Sequence, residues 1–230
     1  MPLVQLPARM LLKRLGWVLP VLAAASLAAC GSSAGVAKGS PTPSPTLEAG
    51  WKPYTVAAEG FAIAVPGSWD RVDLNLSASD LAAAFKDHPE FVKVAEQVQV
   101  NKVVKLFAVD NQTLGTGFAT NLNVIVIPVP DTVTSLDQLV TAELATFTRL
   151  QVSPAKQRVH LRVGDAEQLD YTLPINDATG AKITGAVKQW LLLRTSGRRA
   201  EYVITLTTRA DQTSSYATTF GKIADTFSYQ

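Results

Sequence analysis

Apolar and polar residues alternate over short stretches along most of this chain, and that period of two commits it to a sheet whose strands each bury one face. Phe61, Ile63 and Val65 share one side of a predicted strand; Val103, Phe107 and Val109 mark another, Val159, Leu161 and Val163 a third, and Leu169, Tyr171 and Leu173 a fourth. Val187, Leu191 and Leu193, then Tyr202, Ile204 and Leu206, complete the set. From Leu122 to Ile127 both parities are apolar except at Asn123, as a central strand covered on two sides requires. Helical periods are interleaved. A short one runs from Ser79 through Leu81 to Phe85, and a second opens at Pro89 with Phe91, Val92, Ala95 and Val98 on one stripe. Thr134 with Asp137 is expected to cap a helix striped by Leu136, Leu139, Val140, Leu144 and Phe147, and a last helix starting near Asp211 offers Tyr216, Phe220, Ile223 and Phe227. The order strand, helix pair, strands, helix, strands, helix predicts an α+β fold, a largely antiparallel β-sheet flanked by α-helices. Residues 51–230 suffice for one such domain with a single core, and no internal repeat is visible.

The first 29 residues read differently. Arg9, Lys13 and Arg14 precede an apolar run from Leu15 to Ala29 that contains no acidic residue and is too short to span a bilayer, the pattern of a removable signal peptide. It ends in Leu27-Ala28-Ala29-Cys30-Gly31, and Cys30 is the only cysteine, so it has no intramolecular disulfide partner. This motif resembles the lipobox of exported bacterial lipoproteins. The resemblance implies cleavage between Ala29 and Cys30 and acylation of Cys30 with chains such as palmitate, two or more of which anchor a protein stably. The whole chain carries 21 basic and 19 acidic residues, for +2; without the three basic residues of the leader it carries 18 against 19, or −1, which gives no basic balance for nucleic acid.

Residues 30–50 then form a tether rich in Pro, Ser, Thr and Gly, with Pro41, Pro43 and Pro45 at alternate positions and no hydrophobic period. A segment of this length reaches roughly 60 Å if extended as polyproline and about 25 Å as a coil. The body can stand off a membrane without leaving it.

Phe61-Ala62-Ile63-Ala64-Val65-Pro66-Gly67-Ser68-Trp69, a strand closed by Pro-Gly and a tryptophan, looks like the opening of Mog1/PsbP-like domains. With the lipobox, the tether and the terminal Ala-Thr-Thr-Phe and Ile-Ala-Asp-Thr-Phe segments, the chain resembles the LpqN/LpqT group of mycobacterial lipoproteins. That resemblance implies an antiparallel sheet flanked by helices, a lipid-anchored place on the outer face of the cell membrane in an actinobacterial envelope, and a role in envelope lipid biogenesis without enzymatic activity. Beyond Cys30 it assigns no site residue.

Catalytic and metal-binding sets are not marked. His88 precedes Pro89 at a predicted helix start, and His160 lies in Arg158-Val159-His160-Leu161-Arg162, where alternation puts it on a polar face with two guanidinium groups and no acid adjacent in sequence. No clustered Cys, His and acidic residues have zinc spacing, so no metal and no cofactor is expected. No Gly-x-Ser-x-Gly occurs, and Gly115-Thr116-Gly117 lacks the remainder of a phosphate loop and reads as a loop between strands. Asp165, Glu167 and Asp170 fall near a tight strand connection that they would solvate.

One face stands out. If the strand around Val159 pairs with those near Leu169 and Val187, then Arg158, His160, Arg162, Gln168, Asp170, Lys188 and Trp190 gather outward, a polar face with one indole on which a sugar could stack. The leading expectation is thus a membrane-anchored, non-enzymatic envelope lipoprotein that binds a lipid or glycolipid, beside a membrane transporter or another membrane protein, with Trp190, Arg158, His160 and Arg162 as ligand residues. The alternatives are a protein–protein adaptor at the membrane surface, using a sheet edge or a loop, and a hydrolase.

Overall fold

The computed structural model describes residues 47–88, 92, 98, 103–177 and 180–230. The cleavage site at Ala29 and Cys30, most of the tether, and Pro89, Phe91 and Ala95 of the second predicted helix lie outside them. The described strands are β1 (Lys52–Val56), β2 (Phe61–Val65), β3 (Trp69–Arg71), β4 (Val104–Asp110), β5 (Asn121–Pro128), β6 (Ala155–Leu161), β7 (Gly164–Asn176), β8 (Lys182–Arg194), β9 (Ala200–Arg209) and β10 (Ser228–Tyr229). The helices lying wholly within the described residues are α1 (Ala78–Ala84), α2 (Leu136–Arg149) and α3 (Thr213–Asp225). Every strand pair is antiparallel: seven strands in the order β3-β4-β5-β9-β8-β7-β6, and three in the order β1-β2-β10. The expected class, α+β with an antiparallel sheet flanked by helices, is the one observed.

The large sheet is covered on both faces. On the first, Leu122, Val124 and Ile204 meet Phe61, Ile63 and Val65 of the small sheet together with Phe220 and Ile223 of α3. On the second, Ile125, Val203 and Leu191 pack with Leu81 of α1, Val140 and Phe147 of α2, and Val98. β5 feeds both clusters, as its doubly apolar sequence predicts. In β4 the register slips between Val104 and Leu106, which lets Val104 and Phe107 share a face despite their odd spacing.

The helix starts show how local chemistry sets the boundaries. Ser135, not Thr134, is the N-cap of α2: its hydroxyl accepts from Gln138 N at 3.4 Å while Gln138 Oε1 accepts from Ser135 N at 3.2 Å, a closed capping box. Thr134 instead donates its backbone N–H to the same Gln138 oxygen at 2.7 Å. Ser77 caps α1 by accepting from Asp80 N at 3.2 Å. α3 follows a 3-10 turn over Ala210–Gln212. At the other end of the chain, the Thr226 hydroxyl accepts from Ala64 N at 2.8 Å and donates to Ala64 O at 3.1 Å, fastening α3's exit to β2.

Three strands were not foreseen. β1 pairs along all of β2, β3 holds three residues against β4, and β10 holds two against β2. Among the described residues, no helix is long and apolar enough to cross a membrane.

Candidate functional site

The polar face expected around Trp190 is divided by the register of the β6–β7 hairpin. Val159 pairs with Ala166, Arg158 with Glu167 and His160 with Asp165, across a two-residue turn at Arg162 and Val163. An even-numbered residue of β6 therefore shares its face with an odd-numbered residue of β7. Arg158 and His160 look to the second face of the sheet, whereas Gln168, Asp170, Lys188 and Trp190 look to the first.

Trp190 is 1 % exposed and belongs to the first core, so no sugar can stack on it. The other three named residues are held by acids. Arg158 Nε donates to Glu167 Oε2 at 2.8 Å and a terminal nitrogen donates to Asp137 at the start of α2; both carboxylates raise the guanidinium's already high pKa. His160 Nδ1 lies 2.8 Å from Asp165 Oδ1, the partner that sequence adjacency did not offer, and both side chains are exposed. Arg162 sits in the turn and reaches Asp225 at the end of α3, by its backbone N at 3.2 Å and its Nε at 2.9 Å. These contacts staple a hairpin to two helices and do not converge on one site. Asp170 accepts from Lys188 Nζ at 3.2 Å and from Gln168 Nε2 at 2.8 Å on the opposite face. Gly115 and Gly117, at φ 80° and 87°, lie in the loop between β4 and β5 as expected.

A different constellation, unmarked in the sequence reading, lies on the second face beneath α2. Tyr171 Oη donates to Gln189 Oε1 at 2.8 Å, and Gln189 Nε2 donates to Glu143 Oε1 of α2 at 3.2 Å. Burial raises the Glu143 carboxyl, with the Gln189 bond opposing it, and pushes Tyr171 far above the usual phenol range. Glu201, on the same face of β9, is pushed up to about 7 by burial, with the charge of Glu143 adding to the effect. Thr205 and Thr207 continue this parity of β9 and are both buried; Asn121 and Asn123 stand opposite them on β5. The sequence signal was available: Gln189 occupies the parity of Val187 and Leu191, Thr205 and Thr207 that of Val203, and Glu143 the stripe of Val140 and Phe147. Among the described residues, no group of three or more His, Cys, Asp or Glu could hold a metal ion.

No protein-family profile matches this chain, and no curated protein matches it. Among solved structures it is similar to the cyanobacterial PsbP protein of Synechocystis, with TM-score 0.48 and 16% identity over 84% of this chain and 99% of that one. It is also similar to the LpqN protein involved in cell envelope biogenesis of Mycobacterium tuberculosis, with TM-score 0.42 and 14% identity over 77% of this chain and 89% of that one. A third is the Ran-binding protein Mog1p of Saccharomyces cerevisiae, with TM-score 0.45 and 12% identity over 78% and 95%. These likenesses go no further than the architecture described above.

Proposed function

We propose that this chain is a membrane-anchored lipoprotein of the cell envelope that works without enzymatic chemistry, holding a lipid or glycolipid during envelope assembly or transport. The observation that carries the reading is Leu27-Ala28-Ala29-Cys30 behind a basic leader and ahead of a Pro/Ser/Thr-rich tether. A thiol there is an acylation site, and the tether keeps the folded body within tens of ångströms of the bilayer, where lipid is the abundant ligand. The test is lipid extraction and mass spectrometry on the chain recovered from its own envelope beside a matched control. A stoichiometric lipid absent from the control supports the carrier; background lipid alone removes it.

An adaptor role is the second reading, favoured by the edge strand β6, which ends the large sheet with Ala155–Arg158 and His160 exposed. Such an edge accepts an added strand from a partner. Crosslinking in cells would then return a reproducible protein partner that persists when no lipid is bound.

A further inference from the structure

Among the described strands, β3, β6, β1 and β10 end the two sheets, and they differ in what they offer a partner. β3 has three residues, β10 has two, and β1 carries Pro53, which has no N–H to give. β6 runs for seven residues with no proline and no slip in register, and Ala155, Lys156, Gln157, Arg158 and His160 along it are exposed.

The two-residue turn decides which backbone groups of β6 point outward. Leu161 and Gly164 flank it as a pair, and in so tight a hairpin the flanking pair exchanges both of its N–H···O bonds. Such pairs alternate along an antiparallel ladder. Leu161, Val159, Gln157 and Ala155 therefore bond to β7, whereas His160, Arg158 and Lys156 direct their N–H and C=O groups to the open side. No backbone group of a described residue bonds them there.

The same three residues set the chemistry of what can pair. Their side chains share the second face of the sheet. Charge on an edge keeps a second copy away, and it does so here: any antiparallel pairing of two β6 strands through these groups sets Lys156, Arg158 and His160 against one another. An acidic strand meets the opposite field. Glu167 and Asp137 already hold Arg158, Asp165 holds His160, and Asp225 holds Arg162 at the turn. Glu167 and Asp165, however, stand on β7, roughly 10 Å from an incoming strand, whereas the β6 side chains stand roughly 5 Å from it. Lys156 has no acidic partner among the described residues. On the first face Val159, partly buried against the core, offers apolar ground for one side chain.

We infer that β6 takes up an extended acidic segment of another protein as an added strand, with carboxylates opposite Lys156, Arg158 and His160 and an apolar side chain beside Val159. This rests on the adaptor reading above and names the partner's chemistry and the backbone groups that hold it.

The test uses the chain from residue 30 with Cys30→Ser, which contains every described element and carries no acyl group. Three acetylated, amidated peptides are titrated by calorimetry at low salt: one built on Glu-Val-Glu-Thr-Glu, one with lysine at each glutamate, and the acidic one N-methylated at its glutamates. N-methylation removes the donors that face β6 and leaves every charge in place. Expected are saturable binding of the acidic peptide and losses of about tenfold or more for each of the other two. Lys156→Glu should lower affinity for the acidic peptide about fivefold and melt as the parent does, since the side chain is exposed. Equal binding of the N-methylated peptide overturns strand addition, equal binding by Lys156→Glu moves the contact off β6, and equal or tighter binding of the lysine peptide overturns the acidic class. A dimer in sedimentation that the peptide disperses assigns the edge to a second copy instead. If none of the peptides binds, the inference falls; the adaptor reading falls with it only if crosslinking in cells also returns no partner.

Discussion

Glu201→Gln should uncouple the stability of this fold from pH. Glu201 stands on β9 between Ile127 of β5 and Leu193 of β8, on the face covered by α2, and its carboxyl is raised from 4.5 to about 7 by burial and then by Glu143. A raised carboxyl means that the native state holds a proton which the unfolded chain releases, so its contribution is complete below pH 4.5 and declines as pH climbs to 7. At about 1.4 kcal/mol per unit, the separation amounts to about 3 kcal/mol of stability lost by pH 8. Glutamine keeps the shape of the protonated acid and never ionises. The variant should therefore match the parent near pH 4.5 and exceed it by about 3 kcal/mol at pH 8, a urea midpoint higher by roughly 1–2 M. Urea unfolding followed by tryptophan fluorescence at several pH values reads this directly, because groups common to both proteins cancel in the difference. An offset of the same size at every pH would refute the reasoning, since it would report packing and not charge.

Trp190→Ala should cost about 3–5 kcal/mol in urea unfolding, as for a large side chain removed from a core; a loss below about 1 kcal/mol would restore the surface reading of this residue. Ser135→Ala should lower stability by about 1 kcal/mol through the opened capping box of α2, with helix loss seen in circular dichroism at lower temperature. Cys30→Ala should block lipid addition, so that the chain leaves the detergent phase on partition and lacks acyl mass; unchanged partition would defeat the anchor.

The strands most visible in the sequence were those whose alternate side chains enter a single core. Phe61, Ile63 and Val65 kept their common face, and so did Tyr202, Ile204 and Leu206. β1, β3 and β10 were invisible for a physical reason: a half-exposed edge with Pro53, a three-residue strand and a two-residue strand owe their conformation to the partner they pair with and not to their own pattern. Two errors misplaced the polar face: the face that carries Trp190 was read as open although the small sheet and α3 cover it, and parity was carried from Arg158 across the hairpin unchanged, whereas the turn at Arg162 and Val163 pairs Arg158 with Glu167 and reverses it. The cap of α2 moved by one residue because Gln138, and not Asp137, completes the reciprocal bonds with Ser135. Glu143, Gln189, Thr205 and Thr207 could have been found by searching apolar parities for polar intruders.

The fastening of Thr226 to Ala64 spans 162 positions, and β10 joins β2 just beyond it. A chain that emerges N-terminus first presents Phe61, Ile63 and Val65 early, yet the elements that cover and flank them arrive last. Closing so long a loop sacrifices chain entropy before any contact is returned, whereas β6 to β9 are joined in sequence by hairpins that close cheaply. The order of folding is therefore expected to run against the order of synthesis, with the meander forming first. Although paired early with β1, β2 keeps its apolar side uncovered until α3 and β10 appear, and it is this segment that a holding chaperone would meet.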